Sequence, residues 1–152
     1  MPHPTARSLD TRKADTLHRL EADVDAWVST ASATGTPYLM PLSFLWTAGT
    51  LLLSTARNNP TSRNLQANPQ VHLSIGETRD VVLITGTADL LDELPEQQAN
   101  AFAEKAGFDP RNSNYPYFQV TPLRIQAWRE VNELKSRDLM LNGKWLTNQP
   151  QR

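Results

Sequence analysis

Two periods of apolar residues divide the chain. Over residues 8–23, Leu9, Leu17 and Leu20, followed by Val24, fall on one side among alternating charges, the spacing of an amphipathic helix. Its charged positions Arg12, Lys13, Asp15, Arg19 and Glu21 read as a solvated face. From Ala26 the period becomes two, the signature of strands. Strands are expected over residues 27–32 and 38–46, with Pro37 and Pro41 marking an edge or a bulge, and over 50–55 after an Ala48-Gly49 turn. Two more follow at 71–76 and 81–91, where Gly86 marks a bulge or a close approach. Pro95 opens a helix over residues 96–106 that ends at Gly107. An irregular stretch over 109–117 precedes a long strand over 118–128, interrupted by Pro122. A last hairpin turns at Asn142-Gly143, between runs at 138–141 and 144–146.

Strands outnumber helices and no strand–helix–strand alternation is present, so a doubly wound parallel sheet is disfavoured. The pattern predicts a mainly β fold: six to seven short antiparallel strands in a small closed or partly closed barrel, with an N-terminal helix. At 152 residues the chain fits one domain. Residues 1–7, with two prolines and little apolar content, read as a flexible tail, and residues 8–150 as the domain.

The stretch 51–71, LLLSTARNNPTSRNLQANPQV, changes the picture from fold to chemistry. It is an apolar strand, a polar loop with two arginines and no acid, and a short helical turn ending at Asn68-Pro69. It gathers Ser54, Thr55, Arg57, Thr61, Ser62, Arg63 and Asn64. Hydroxyls, guanidinium forks and free N–H groups at a helix start are the donors an anionic group needs. The alternative is a polar loop and helix cap with no ligand.

Composition narrows the function classes. A net charge of −1 offers no basic field for nucleic acid or anionic membrane. No apolar run is long enough for a membrane span, and no signal-peptide pattern is present, so a cytoplasmic protein is expected. The absence of cysteine excludes disulfides, thiolate zinc sites and cysteine nucleophiles. His3, His18 and His72 have no partner at metal-ligand spacing, so no metal site is expected. Arg79-Asp80 reads as a tight turn with a local ion pair, and Tyr115 and Tyr117 as structural residues or a lid.

Four stretches in order resemble the flavin-binding split barrels of the pyridoxamine 5′-phosphate oxidase-like superfamily. They are TPYLMPLSFLW, LLLSTARNNPTSRNLQANPQVHLSI, TRDVVLITGTADLLD and WREVNELKSRDLMLNGKWL, which together span roughly residues 26–146. The resemblance implies a split barrel of the FMN-binding type and a homodimer with cofactor in the groove between protomers. It implies that Thr55, Arg57, Ser62, Arg63 and Asn64 form the phosphate side. The strand Leu39, Met40, Pro41 and Leu42 would run along the ring system, and Trp128 and Arg137 would come from the partner subunit. Many members carry basic residues where this chain has Pro60-Thr61, so here Arg57 and Arg63 would supply the positive charge.

The implied activity is hydride transfer between FMN, or the deazaflavin coenzyme F-420, and a small organic substrate. Flavin carries the hydride itself, so no catalytic side chain is singled out. A non-catalytic flavin or tetrapyrrole (haem) carrier is the second reading. An oligonucleotide-binding barrel is the third, and it lacks the basic face it needs.

Overall fold

Among residues 4–148, which the computed structural model describes, nine strands and three α-helices follow one another. Helix α1 (Leu9–Ala22) precedes β1 (Asp25–Ala31), β2 (Pro37–Ser43), β3 (Leu45–Thr47) and β4 (Thr50–Ser54). Helix α2 (Pro60–Ala67) leads into β5 (Gln70–Glu77) and β6 (Asp80–Leu91), and α3 (Glu96–Ala106) precedes β7 (Tyr117–Trp128). The hairpin of β8 (Asp138–Leu141) and β9 (Lys144–Trp145) comes last.

The strands are antiparallel throughout and run in the order β2-β1-β5-β6-β7-β4-β3, with the β8–β9 ribbon added on β7. The two ends of that order are halves of one chain segment, because only Phe44 separates β2 from β3. β2 pairs with β1 from Ala31↔Pro37 to Asp25↔Ser43, whereas β3 pairs with β4 from Leu45↔Leu52 to Thr47↔Thr50. The sheet therefore curls until its first and last strands meet at Phe44. The Phe44 amide donates to the Val24 carbonyl (2.9 Å), and its ring is fully buried. This is the split barrel the sequence predicts.

Alternate residues of the strands fill the interior. Val28, Leu73, Ile84 and Ile125 are successive register partners, and all four are buried beside Leu20 of α1 and Leu65 of α2. Each such side chain contributes roughly 1.5–3 kcal/mol when removed from water. A smaller cluster of Leu52, Phe102 and Tyr117 seats α3, with the two rings edge to face at 5.6 Å. The register of β6 against β7 shifts between Thr85 and Gly86, where Gly86 faces Pro122. A Cβ at Gly86 would lie 2.5 Å from the Thr121 carbonyl oxygen, so the close approach requires glycine.

Three charged positions depart from expectation. Arg12, read as solvated, is only 2 % exposed. The face of α1 turned to the barrel runs Leu9, Arg12, Thr16, Leu20, so two polar residues occupy a stripe that an apolar count skips, while Val24 is exposed. Arg79 and Asp80 do not pair with each other. Arg79 reaches Glu130 (3.5 Å), and Asp80, at the start of β6, meets Arg19 of α1 (3.3 Å) and Arg129 after β7 (3.2 Å). Of the expected N-terminal tail, residues 1–3 lie outside the described residues, and Arg7 at its end is docked: its backbone N–H and guanidinium donate to Glu133.

Candidate functional site

The loop after β4 is folded largely by its own polar groups. β4 is apolar and buried through Leu51–Leu53, and it delivers Ser54 and Thr55 to the edge of the core. The Ser54 hydroxyl donates to the Pro116 carbonyl (2.8 Å), and Thr55 accepts from the Asn59 amide (2.8 Å). The Ser62 hydroxyl donates to the Ala56 carbonyl (2.7 Å), and the Asn64 amide donates to Thr30 of β1 (3.0 Å). Ser54, Thr55, Ser62 and Asn64 thus shape the loop.

Other donors remain open. Asn59 is the N-cap of α2 but makes no cap bond, since its amide is turned to Thr55. Pro60 has no N–H, so the amides of Thr61 and Ser62 stand at an uncapped helix start. Arg63, one turn in, is exposed and has no ion pair among the described residues. A shallow depression of about 400 Å³ lies among Arg57, Asn58, Arg63 and Gln66. Helix α2 also packs against β1 and β2, so the loop and the start of β2 share one end of the barrel.

Arg57 carries a partner that no local reading of the loop could supply. Its Nη2 meets the Asp92 carboxylate at 2.7 Å, from just beyond the end of β6. Behind this pair is a cavity of about 570 Å³ that also touches Glu93, Arg111, Tyr115 and Tyr117. Tyr117 is buried at the start of β7, its hydroxyl has no hydrogen-bond partner among the described residues, and burial pushes its pKa up. Tyr117 is therefore a core residue, and Asp92 is the residue of this region that the sequence reading missed.

β2 stands first in the strand order, so among the described residues its outer edge has no strand partner. Leu39 is 57 % exposed, Met40 43 %, and Pro41 is exposed, whereas Leu42 packs on the core. On the barrel's outer face the register lines up Pro41, Trp27, Ser74, Leu83, Gln126 and Asp138. Trp27 is 51 % exposed there, and a cavity of about 210 Å³ lies beside it between Pro41 and Ser74. His72 is exposed on the same face, between Ser29 and Thr85.

Trp128 and Arg137 lie elsewhere. Tyr117 pairs with Ser54 at one end of β7, and Trp128 pairs with Val81 at the other. At the strand rise those ends are about 36 Å apart along the chain. The Arg137 carbonyl accepts from the Ala127 amide (3.0 Å), and its Nη1 donates to the Leu134 carbonyl (2.7 Å). With its amide oxygen turned toward them, Gln126 accepts from Arg137 Nε (2.9 Å) and Arg124 (3.0 Å). Within this chain the loop, α2 and β2 come together, and Trp128 and Arg137 do not join them. No cluster of metal-ligating side chains exists among the described residues, and no helix among them is long and apolar enough to cross a membrane.

The profile of a family described as pyridoxamine 5′-phosphate oxidase matches residues 17–132, most of the chain. Several solved structures share the fold. An F-420 reductase superposes with a TM-score of 0.61 at 18 % identity, over 71 % of this chain and 93 % of its own. A FAD-binding protein from Mesorhizobium loti gives 0.64 at 17 %, over 80 % and 92 %. HutZ, a haem storage protein from Vibrio cholerae, gives 0.62 at 16 %, over 76 % and 93 %. No curated protein sequence matches the chain.

Proposed function

This chain belongs to the pyridoxamine 5′-phosphate oxidase family, and on that premise we propose that it is a flavin- or deazaflavin-dependent oxidoreductase working as a homodimer on a small organic substrate. The observation that carries the reading is the uncapped start of α2 beside the unpaired Arg63, at the same end of the barrel as the open edge of β2. The amides of Thr61 and Ser62 would meet a phosphate with the positive end of the helix behind them. The Arg63 guanidinium would supply a paired fork, and Arg57 a second once it leaves Asp92.

Leu39 and Pro41 would give the ring system an apolar floor, and unpaired backbone groups of β2 would meet its polar edge. Bound flavin or deazaflavin supplies the hydride chemistry; the chain orients the ring and substrate and excludes water. Trp128 and Arg137, remote from the loop in one protomer, would reach the site from the partner. The exposed outer face around Trp27 and Leu39 would be the contact between protomers. The F-420 reductase and the FAD-binding protein, which share this fold, are consistent with either cofactor.

The test is an absorbance spectrum of the purified protein followed by separate titrations with FMN and coenzyme F-420. Saturable binding of one, weakened about tenfold in Arg63→Ala, supports the groove and names the cofactor. No binding of either at tens of micromolar overturns the oxidoreductase reading. A second reading, a haem carrier, draws on exposed His72 in the outer face and on the fold shared with a haem storage protein. It predicts a Soret band on haem addition that disappears in His72→Ala.

A further inference from the structure

Among the described residues Arg12 is a buried cation without a counter-charge. It is 2 % exposed, and its one hydrogen bond is a long one, Nη1 to the Ala127 carbonyl at 3.3 Å. Its Nε is buried with no partner, and no carboxylate lies within ion-pair distance of it among the described residues. Burial accordingly pushes its pKa down, although Glu133 nearby acts in the opposite direction. An unpaired charge held out of water is among the costliest groups a fold can contain.

The carboxylates around it are already committed. Glu133 accepts from the Arg7 backbone N–H (2.8 Å), Arg7 Nε (3.0 Å), Arg7 Nη2 (2.8 Å) and the Arg129 backbone N–H (2.8 Å). Asp15 pairs with Arg7 at 3.1 Å. Arg12 instead lines a cavity of about 440 Å³ with Ser8, Leu9 and Ser136. The carboxylate on that wall, Asp138, is held by Arg124 at 2.8 Å. The 14-residue helix α1 begins on the same wall. Its N-cap Ser8 accepts from the Thr11 amide, so the amides of Leu9 and Asp10 lack a cap partner. The Ser8 hydroxyl is spent on Thr11 (3.0 Å), so a buried guanidinium, an open helix start and the Ser136 hydroxyl converge on one cavity, and each of them favours an anion.

We propose that this cavity is a binding site for a small oxyanion, a carboxylate or a phosphate, which completes the coordination of Arg12. The site is separate from the α2 loop and stands whether or not the chain binds a flavin. The Ala127 carbonyl that Arg12 holds belongs to the residue whose amide pairs with Arg137 (3.0 Å), so the bound anion sits behind the Trp128–Arg137 segment.

The experiment uses the full chain and inorganic phosphate as probe, against chloride at matched ionic strength. Thermal melting is followed, together with the arginine Nε–H resonances in ¹⁵N correlation spectra. Phosphate near 100 times its Kd is expected to raise Tm by about 5 °C or more and to shift the Arg12 Nε–H resonance. Arg12→Met is expected to lose the response. Because Arg12→Met could also fail to fold, Ser136→Asp tests the same point from the other side. It places a carboxylate on the cavity wall, so its Tm in chloride should exceed that of the unmodified protein and phosphate should add nothing. Equal effects of phosphate and chloride with an unmoved Arg12 resonance overturn the proposal. So does a Ser136→Asp variant no more stable than the unmodified protein and still responsive to phosphate. A response kept in Arg12→Met but lost in Arg63→Ala assigns the phosphate to the α2 loop and also overturns it.

Discussion

Arg7 and Glu133, 126 residues apart, are joined by three hydrogen bonds, from the Arg7 backbone N–H (2.8 Å), its Nε (3.0 Å) and its Nη2 (2.8 Å). This clasp ties the residue before the N-cap of α1 to the 3-10 turn Val131–Ser136 that follows β7. The Arg7 side chain hydrogen bonds hold the Glu133 pKa at about 2, against an ordinary 4.5. A depressed folded-state pKa contributes stability that is fully present above the ordinary value and is lost as pH falls toward 2. Glu133→Gln should therefore cost about 3 kcal/mol at pH 7, with the gap from the unmodified protein narrowing below pH 4.5. Urea unfolding at pH 7, 4 and 3 checks this, and a gap that stays constant with pH would refute it.

The Arg57–Asp92 pair is exposed on both sides, so breaking it should change stability by less than about 1 kcal/mol. Its effect on binding should be larger. Asp92→Asn frees the guanidinium, and affinity for FMN or coenzyme F-420 should rise several-fold, most visibly at low salt. Unchanged affinity for both would remove Arg57 from the cofactor site.

Trp27 stands on the outer face between Pro41 and Ser74. Trp27→Glu should leave the barrel folded while preventing two such faces from meeting, because a desolvated charge without a partner opposes association. On the proposed homodimer, light scattering should report a dimer for the unmodified protein and a monomer for the variant, with cofactor binding lost alongside. A variant that remains dimeric would place the interface elsewhere.

Gly86→Ala should be destabilising even though the residue lies in a strand, where glycine ordinarily weakens structure. The new methyl would press on the Thr121 carbonyl oxygen at 2.5 Å and Val120 Cγ1 at 3.1 Å. A cost of about 1–3 kcal/mol is expected from the resulting backbone shift, read from the denaturation midpoint.

Features carried by neighbours in the chain were legible without coordinates. The alternation around Val28, Leu73 and Ile84 specifies strands, Pro95 and Gly107 bracket α3, and Asn142-Gly143 adopts the two positive φ angles of a tight hairpin (53° and 77°). The loop from Ser54 to Asn64 was legible as a polar, arginine-bearing helix entry, because its donors are adjacent in sequence. What tertiary structure decided are encounters between residues far apart in the chain, which leave no periodic trace. Asp92 reaching Arg57, and Glu133 reaching Arg7, are of this kind. So is the closure of the sheet at Phe44, and so is the distance that β7 places between Ser54 and Trp128. Arg12 shows the limit most plainly: charge marks it as a surface residue, but its phase on α1 turns it to the barrel, and only the packing of that helix decides that it is buried.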